Sequence, residues 1–257
     1  MVEGGIQSVE RAGDILWFLA AQRTAGAGDV ASHLGVHAST ASRLLASLRT
    51  ARLVDLVPES RGRYRLGAGL VHLAGAVAAG ADLSPAAQTL CDLVAEDFGL
   101  TANVAVRDEI HAVNVAQTVG VALHFAPRHY VGLRTPGHAT SSGKLLLAHA
   151  PAEVLEAVIA DGPTRFTSRT ITAPAALRAE ISAVRERGWA SSDQEWEESV
   201  VAVGVPLHLP SGEFEAALTV TGPAHTLPQE DFAEIAARLA GHVAASGRWT
   251  APELRGA

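Results

Sequence analysis

The sequence predicts an α+β chain in two parts. A small helical head closes with a β-hairpin, and a larger body packs helices on a mainly antiparallel sheet. Three observations carry this. Two helix-period segments meet at Gly35 and run straight into an alternating hairpin. A charge-free stretch, 67–81, separates this head from the rest. Beyond it, strand-like alternation and helix-like periodicity come in segregated blocks.

The 257 residues suit two domains of ordinary size. Hydrophobic residues make up 48% and charged residues 18%, which excludes long disorder. The single cysteine, Cys91, excludes an internal disulfide framework. The start, Met1 to Gly5, has no basic-then-apolar leader pattern, and the charge-free runs 66–81 and 110–127 are short of a membrane span. A soluble, cytoplasmic protein is expected. Net charge is −7 and unevenly divided. Residues 1–81 hold eight arginines against six acids, which leaves the head at +2 and the remainder at −9. A basic head on an acidic body suits a polyanion bound at one end.

In the head, Ala12, Ile15, Leu16 and Leu19 share one face of a helix over 8–21, with Ser8 as its N-cap. Asp29 is placed to cap a second helix, 30–34. Gly35 breaks it, and a third helix covers 38–50. Ala31 is small enough for two helices to cross closely, Gly35 tolerates a positive φ, and Leu34, Val36, Ala41 and Leu44 lock the angle. This is the arrangement of a helix-turn-helix. The open side of the third helix offers His37, Ser39, Thr40, Ser42 and Arg43, short hydrogen-bonding groups followed by a guanidinium that a major groove accepts. An ordinary αα-hairpin with a Ser/Thr-rich solvent face is the competing reading. The hairpin that follows, strands 53–57 and 63–66 around a turn at 58–62, makes a wing. Arg61, Arg63 and Arg65 stand at its tip and return strand, placed for phosphates or a minor groove. His33 and His37, four apart, lack the further ligands of a metal site.

Gln7-Ser8-Val9-Glu10-Arg11-Ala12, Leu34-Gly35-Val36, Ser39-Thr40, Arg43-Leu44-Leu45 and Gly62-Arg63-Tyr64-Arg65-Leu66-Gly67 resemble the winged head of the IclR family of bacterial transcriptional regulators. The resemblance continues through His138-Ala139, Gly143-Lys144, Arg169-Thr170, Ala176-Leu177-Arg178, Gly188-Trp189-Ala190 and Thr221-Gly222-Pro223. It implies a winged helix-turn-helix DNA-binding domain over 1–66, a linker helix over 67–81 at a subunit contact, and a GAF-like effector-binding domain over 82–250. It further implies a homodimer or homotetramer that reads a palindromic operator in double-stranded DNA, commonly as a repressor.

In the body, helices are expected at 86–98, 142–150, 151–160, 174–187 and 228–244. Strands are expected at 102–107, 110–117, 121–125, 189–192, 200–207 and 214–221. Asp82-Leu83-Ser84-Pro85 supplies the start of the first helix.

Catalytic motifs fail on inspection. Ser141-Ser142-Gly143-Lys144 contains S-x-x-K, but the partner K-T-G cannot exist because Lys144 is the only lysine. A phosphate loop would need glycine one residue from Gly137 and Ser or Thr in place of Leu145. His124, His129 and His138 lack ligand spacing. No catalytic set, metal or cofactor is expected. A hydrolase or transferase built on the body, and a sensor using its helix-turn-helix for protein contacts, are the alternatives.

Thr140-Ser141-Ser142-Gly143 stands at a helix start, where free N–H groups favour an anion. The resemblance places Ser141 and Ser142 beside an effector, opposite Thr219 and Thr221. Family acids that follow the Gly-Trp-Ala stretch align with Ser192 and Asp193, and a common cysteine aligns with Ala202. A family lysine before Ser39-Thr40 aligns with Ala38. The expected effector is a small organic acid.

Overall fold

The structure, a computed structural model, describes residues 5–58, 60, 62–73, 83–120, 130–250 and 253–255. The chain divides into two compact units, Met1–Asp82 and Leu83–Ala257.

The first unit holds α1 (Gln7–Gln22), β1 (Ala25–Gly26), α2 (Ala27–Leu34), α3 (Ala38–Thr50), β2 (Val54–Leu56) and β3 (Arg63–Leu66). Ile15 and Leu19 of α1, Val30 and Ala31 of α2, and Ala41, Leu45 and Leu48 of α3 form one buried core, closed by Ala25 and Val54. Gly35 takes φ 62°, ψ 37°, and the Val36 N–H returns to the Ala31 carbonyl at 3.0 Å. A left-handed residue is what lets α2 stop and α3 leave at an angle. The wing is antiparallel, with Asp55 opposite Arg65 and Leu56 opposite Tyr64.

Three expectations change here. The N-cap of α1 is Ile6, with no side-chain cap, rather than Ser8. Asp29 lies inside α2, and its carboxylate accepts the Gly26 N–H at 2.9 Å. The segment after α1, for which the sequence predicts no element, contributes β1 as a third strand paired to β3. Of the expected linker helix, residues 69–73 are helical, and 74–82 lie outside the described residues.

The second unit holds α4 (Leu83–Phe98), β4 (Thr101–Asp108), β5 (His111–Thr118), β6 (Arg134–Pro136), α5 (Ser141–Ala148), α6 (Ala152–Asp161), α7 (Pro174–Arg187), β7 (Ala190–Asp193), β8 (Val200–His208), β9 (Phe214–Pro223), a 3-10 turn (Gln229–Asp231) and α8 (Phe232–Ala245). Six antiparallel strands run in the order β6-β5-β4-β9-β8-β7. The short β6 was not expected, and the expected strand 121–125 lies outside the described residues.

Period-2 alternation gives the sheet two unlike faces. Ala102, Val104, Val201, Val203, Val205, Leu218 and Val220 face α4 and α8, in a core completed by Leu90, Val94, Leu239 and Val243. The opposite face packs at one end on α5, α6 and α7 through Ala105, Ala217, Leu145, Leu147, Leu177 and Ile181. At the other end that face turns polar. Asn103 and Thr219 are direct cross-strand partners, as are Thr221 and Ala202. Among the described residues, no helix is long and apolar enough to cross a membrane.

Candidate functional site

In the head, α3 carries the expected recognition face. His37 is its N-cap residue, and His37, Ser39, Ser42 and Arg43 are exposed while Thr40 is half-buried. Thr40, Arg43, Leu44 and Ser47 line a shallow groove with Ser8 and Arg11 of α1. Arg11 thus joins Arg43 on one surface, which α1's periodicity alone did not reveal. The exposed polar stretch of α3 begins at the helix N-terminus, as major-groove reading requires.

The wing arginines separate. Arg61 lies outside the described residues. Arg65 is exposed and makes no hydrogen bond or ion pair among them. Arg63, expected as a phosphate contact, is held within the head. Its Nη2 donates to the Thr24 carbonyl at 2.8 Å and its Nε to Thr24 Oγ1 at 3.2 Å, with Asp29 at 3.5 Å. The pairing of β1 with β3 brings Arg63 opposite Gly26, beside these acceptors. His33, paired with His37 in the sequence, stacks on Phe18 at 4.2 Å between ring centres.

In the body, a cavity of about 50 Å³, open at its mouth, lies under the start of α5 on the polar face of the sheet. Ser141, Ser142, Ser192, Thr219 and Thr221 line it, and so do Asn103, Asn114, Tyr130, Thr135, Thr140, Trp196, Glu197, Val200 and Ala202. Five of the six sequence-predicted residues meet here. Asp193 does not. On an alternating strand it points opposite to Ser192, and it pairs with Arg169.

The wall has a rigid frame. Thr140 caps α5 by accepting the Gly143 N–H at 3.1 Å, and its hydroxyl donates to the Pro136 carbonyl at 2.9 Å. Gly143 sits so close to Gly137 that a Cβ there would come within 2.5 Å of the Gly137 carbonyl oxygen. Ser192 Oγ donates to the Ala139 carbonyl at 2.8 Å, and Thr135 to that of Ala112 at 3.3 Å. The amides of Ser141 and Ser142, at the first turn of α5, remain free for a ligand.

The loop 194–199 carries Trp196 and Glu197 to the mouth with Gln194 and Ser199 both at positive φ, 60° and 63°. Such conformations are uncommon for non-glycine residues and persist where surroundings impose them. Here Thr167 Oγ1 donates to the Gln194 carbonyl at 2.7 Å and Thr170 Oγ1 to the Glu195 carbonyl at 2.6 Å. Lys144 completes the anchor. Its Nζ, buried one turn into α5, donates to Glu195 Oε1 at 2.6 Å and the Ser191 carbonyl at 3.0 Å, with Glu180 at 3.4 Å. Glu180 is shared with Arg187 at 2.9 Å. Burial pushes the Glu195 carboxyl above the usual carboxylate range, and Lys144 opposes the shift. Sequence reasoning assigns Lys144 no role; its being the single lysine beside nineteen arginines is the available signal.

His138 is buried outside the lining, with Nε2 at 2.9 Å from the Thr164 carbonyl; burial holds its pKa below the ordinary value. His124 and His129 lie outside the described residues. Among the described residues, no cluster of three His, Cys, Asp or Glu side chains is placed to hold a metal ion.

A winged helix-turn-helix head joined to an α+β body with a polar cavity defines a DNA-binding regulator with a ligand-sensing architecture. Residues 8–58 match the IclR helix-turn-helix domain, and residues 75–246 match the bacterial transcriptional regulator IclR C-terminal domain. The chain belongs to the IclR family of bacterial transcriptional regulators. It is 34% identical to the glycerol operon regulatory protein of Streptomyces griseus, across 86% of this chain and 87% of that protein. It is 31% identical to the HTH-type transcriptional regulator XynR of Escherichia coli, across 84% and 86%. Among solved structures, a putative IclR regulator from Silicibacter superposes with a TM-score of 0.78 at 26% identity, covering 93% of this chain and 94% of that one. An IclR homologue from Microbacterium hydrocarbonoxydans complexed with 4-hydroxybenzoate gives 0.78 at 25%, covering 93% and 98%.

Proposed function

We propose that this chain switches transcription, acting in the cytoplasm, by binding an operator through the α3 face and an effector in the cavity at the start of α5. The observation that carries the reading is the presence in one chain of an exposed Ser/Thr/Arg recognition face and a cavity walled by polar groups. Residues 1–66 serve DNA, 67–81 link the units, and 82–250 sense the ligand. His37, Ser39, Thr40, Ser42 and Arg43 address base edges, while Arg11, Arg61 and Arg65 address phosphates. Ser141, Ser142, Ser192, Thr219 and Thr221 address the effector. The complex of a relative with 4-hydroxybenzoate supports an effector of small-molecule size.

The chain acts as a dimer or tetramer on an inverted repeat, because one winged head covers too few base pairs for useful specificity. Exposed Ile6, Val9 and Trp17 recur along one side of α1, and Val71 and Leu73 are exposed in 69–73. These apolar groups suit contact with a second copy. A small organic acid remains one effector class, drawn by the free amides of Ser141 and Ser142.

The test is a gel shift on the intergenic DNA beside the chain's own reading frame. Arg43→Ala is expected to weaken specific binding by about 1–3 kcal/mol, the range for a base-reading arginine. Operator binding equal to wild type would refute the recognition-face assignment.

A further inference from the structure

The cavity divides its polar groups into two sets. Thr135, Thr140 and Ser192 spend their hydroxyls on backbone groups. Asn103, Asn114, Ser141, Ser142 and Thr219 are each more than nine-tenths buried, yet their side chains form no hydrogen bond with the protein among the described residues. Asn103 Oδ1 is fully shielded and unpartnered. Native proteins pair nearly all buried polar atoms, so the unpartnered Asn103 Oδ1, with four more unpaired polar side chains on the same cavity, marks what a bound molecule supplies.

The chemistry of the unpaired set is uniform. Every member is a hydroxyl or a carboxamide, able both to donate and to accept. A carboxylate only accepts, so it leaves the acceptor on Asn103 and the lone pairs of Asn114 and Thr219 unmatched. The described lining holds no lysine, arginine or histidine, and its one charged side chain is the acid Glu197. Lys144, the cation nearest in sequence, is turned to Glu195. A hydroxyl group donates and accepts at one atom, and a chain of them matches the set without carrying charge into the cavity. Trp196 and Tyr130, with ring centres 5.8 Å apart, give the mouth an apolar surface for C–H groups.

We infer that the effector is a small neutral polyol or sugar, with Asn103 and its cross-strand neighbour Thr219 as the residues that select hydroxyl over carboxylate. This rests on the ligand-sensing reading of the cavity. Ser141 and Ser142 then offer their amides to hydroxyl oxygens, and their side chains to the hydroxyl hydrogens.

The experiment is calorimetric titration of the full chain with neutral and acidic molecules of the same carbon skeleton: glycerol against glycerate, erythritol against erythronate, ribitol against ribonate. At least one neutral member is expected to bind tenfold or more tightly than its acid. Thr219→Val, which keeps the shape of the side chain, is expected to weaken that binding at least tenfold, and Asn103→Leu to abolish it. Circular dichroism checks that each variant folds, and Thr219→Val carries the test if Asn103→Leu does not. An acid that binds more tightly than its polyol, and loses that binding in Thr219→Val, overturns the polyol class but leaves the cavity as the sensor. Polyol binding unchanged in the folded variants overturns the cavity assignment itself. Failure of all six probes to bind overturns the inference.

Discussion

Lys144→Met removes one partner from the buried pair that anchors the cavity wall. Lys144 and Glu195 lie 2.6 Å apart, both almost wholly shielded from water, and Glu195 Oε2 has no hydrogen-bond partner among the described residues. Losing the ammonium leaves a buried carboxylate uncompensated, a change that costs about 3–5 kcal/mol in comparable sites. Glu180 is spared, because Arg187 still pairs with it. The cost depends on pH with a definite sign. Burial already holds the Glu195 carboxyl above its ordinary range against the opposing pull of Lys144, and the variant removes that pull. The folded variant therefore keeps a proton at pH values where the unfolded chain has lost it. Its stability is highest below the unfolded carboxylate range and falls as pH rises through the folded one. Urea unfolding of wild type and variant at pH 5 and pH 8, followed by tryptophan fluorescence, reads this directly, since three of the four tryptophans lie in the body. The gap between the proteins should be wider at pH 8. Lys144→Met/Glu195→Gln, which removes the charge as well, should recover part of the loss at pH 8. A gap independent of pH, or a double variant no better than the single one, would refute the argument.

Three further outcomes follow from particular residues. Arg65→Ala should lower the slope of operator affinity against salt by about one ion, whereas Arg63→Ala should leave the slope nearly unchanged; filter binding across a salt series separates them. Gly35→Ala should cost about 1–2 kcal/mol in head stability, the ordinary penalty for a side chain at left-handed φ. Its Cβ meets nothing within 4 Å, so a larger loss in thermal unfolding would point to something besides backbone strain. The Cys91 thiol, pushed up to about 12 by burial, should resist a thiol-specific disulfide reagent at pH 8 until the body is unfolded. Rapid labelling of the native chain would contradict its placement in the core.

The head was legible where a backbone requirement showed in residue type. Gly35 between Leu34 and Val36 suited a left-handed turn, and the apolar frame around it favoured a helix-turn-helix over an ordinary αα-hairpin. Helix ends were less legible, because capping is settled by geometry among near neighbours. Asp29 offered a cap from inside the first turn, and Ile6 ended α1 although Ser8 stood close by. Strands β1 and β6 escaped because two or three residues cannot display alternation. In the body, the alternation of β8, rich in valine, and of β9 exposed the sheet. The polar end of its other face went unread, although Asn103 between Ala102 and Val104, and Asn114 between Val113 and Val115, break apolar strands at single positions.

Those two asparagines and Lys144 share a physical origin, and it explains why the cavity was only half visible. Ser141 and Ser142 were marked by their helix start, a place where polar residues are commonplace, and resemblance alone placed them beside an effector and singled out Thr219 and Thr221. An asparagine inside an apolar strand costs stability unless something pairs with it. A lone lysine just before three leucines in a buried helix carries the same implication, and its partner proves to be Glu195, 51 residues away. For Lys144 the partner lies within the chain, so the residue stiffens the wall of the cavity. For Asn103 and Asn114 the described residues supply none, and the proposed partner is the molecule that fills the cavity.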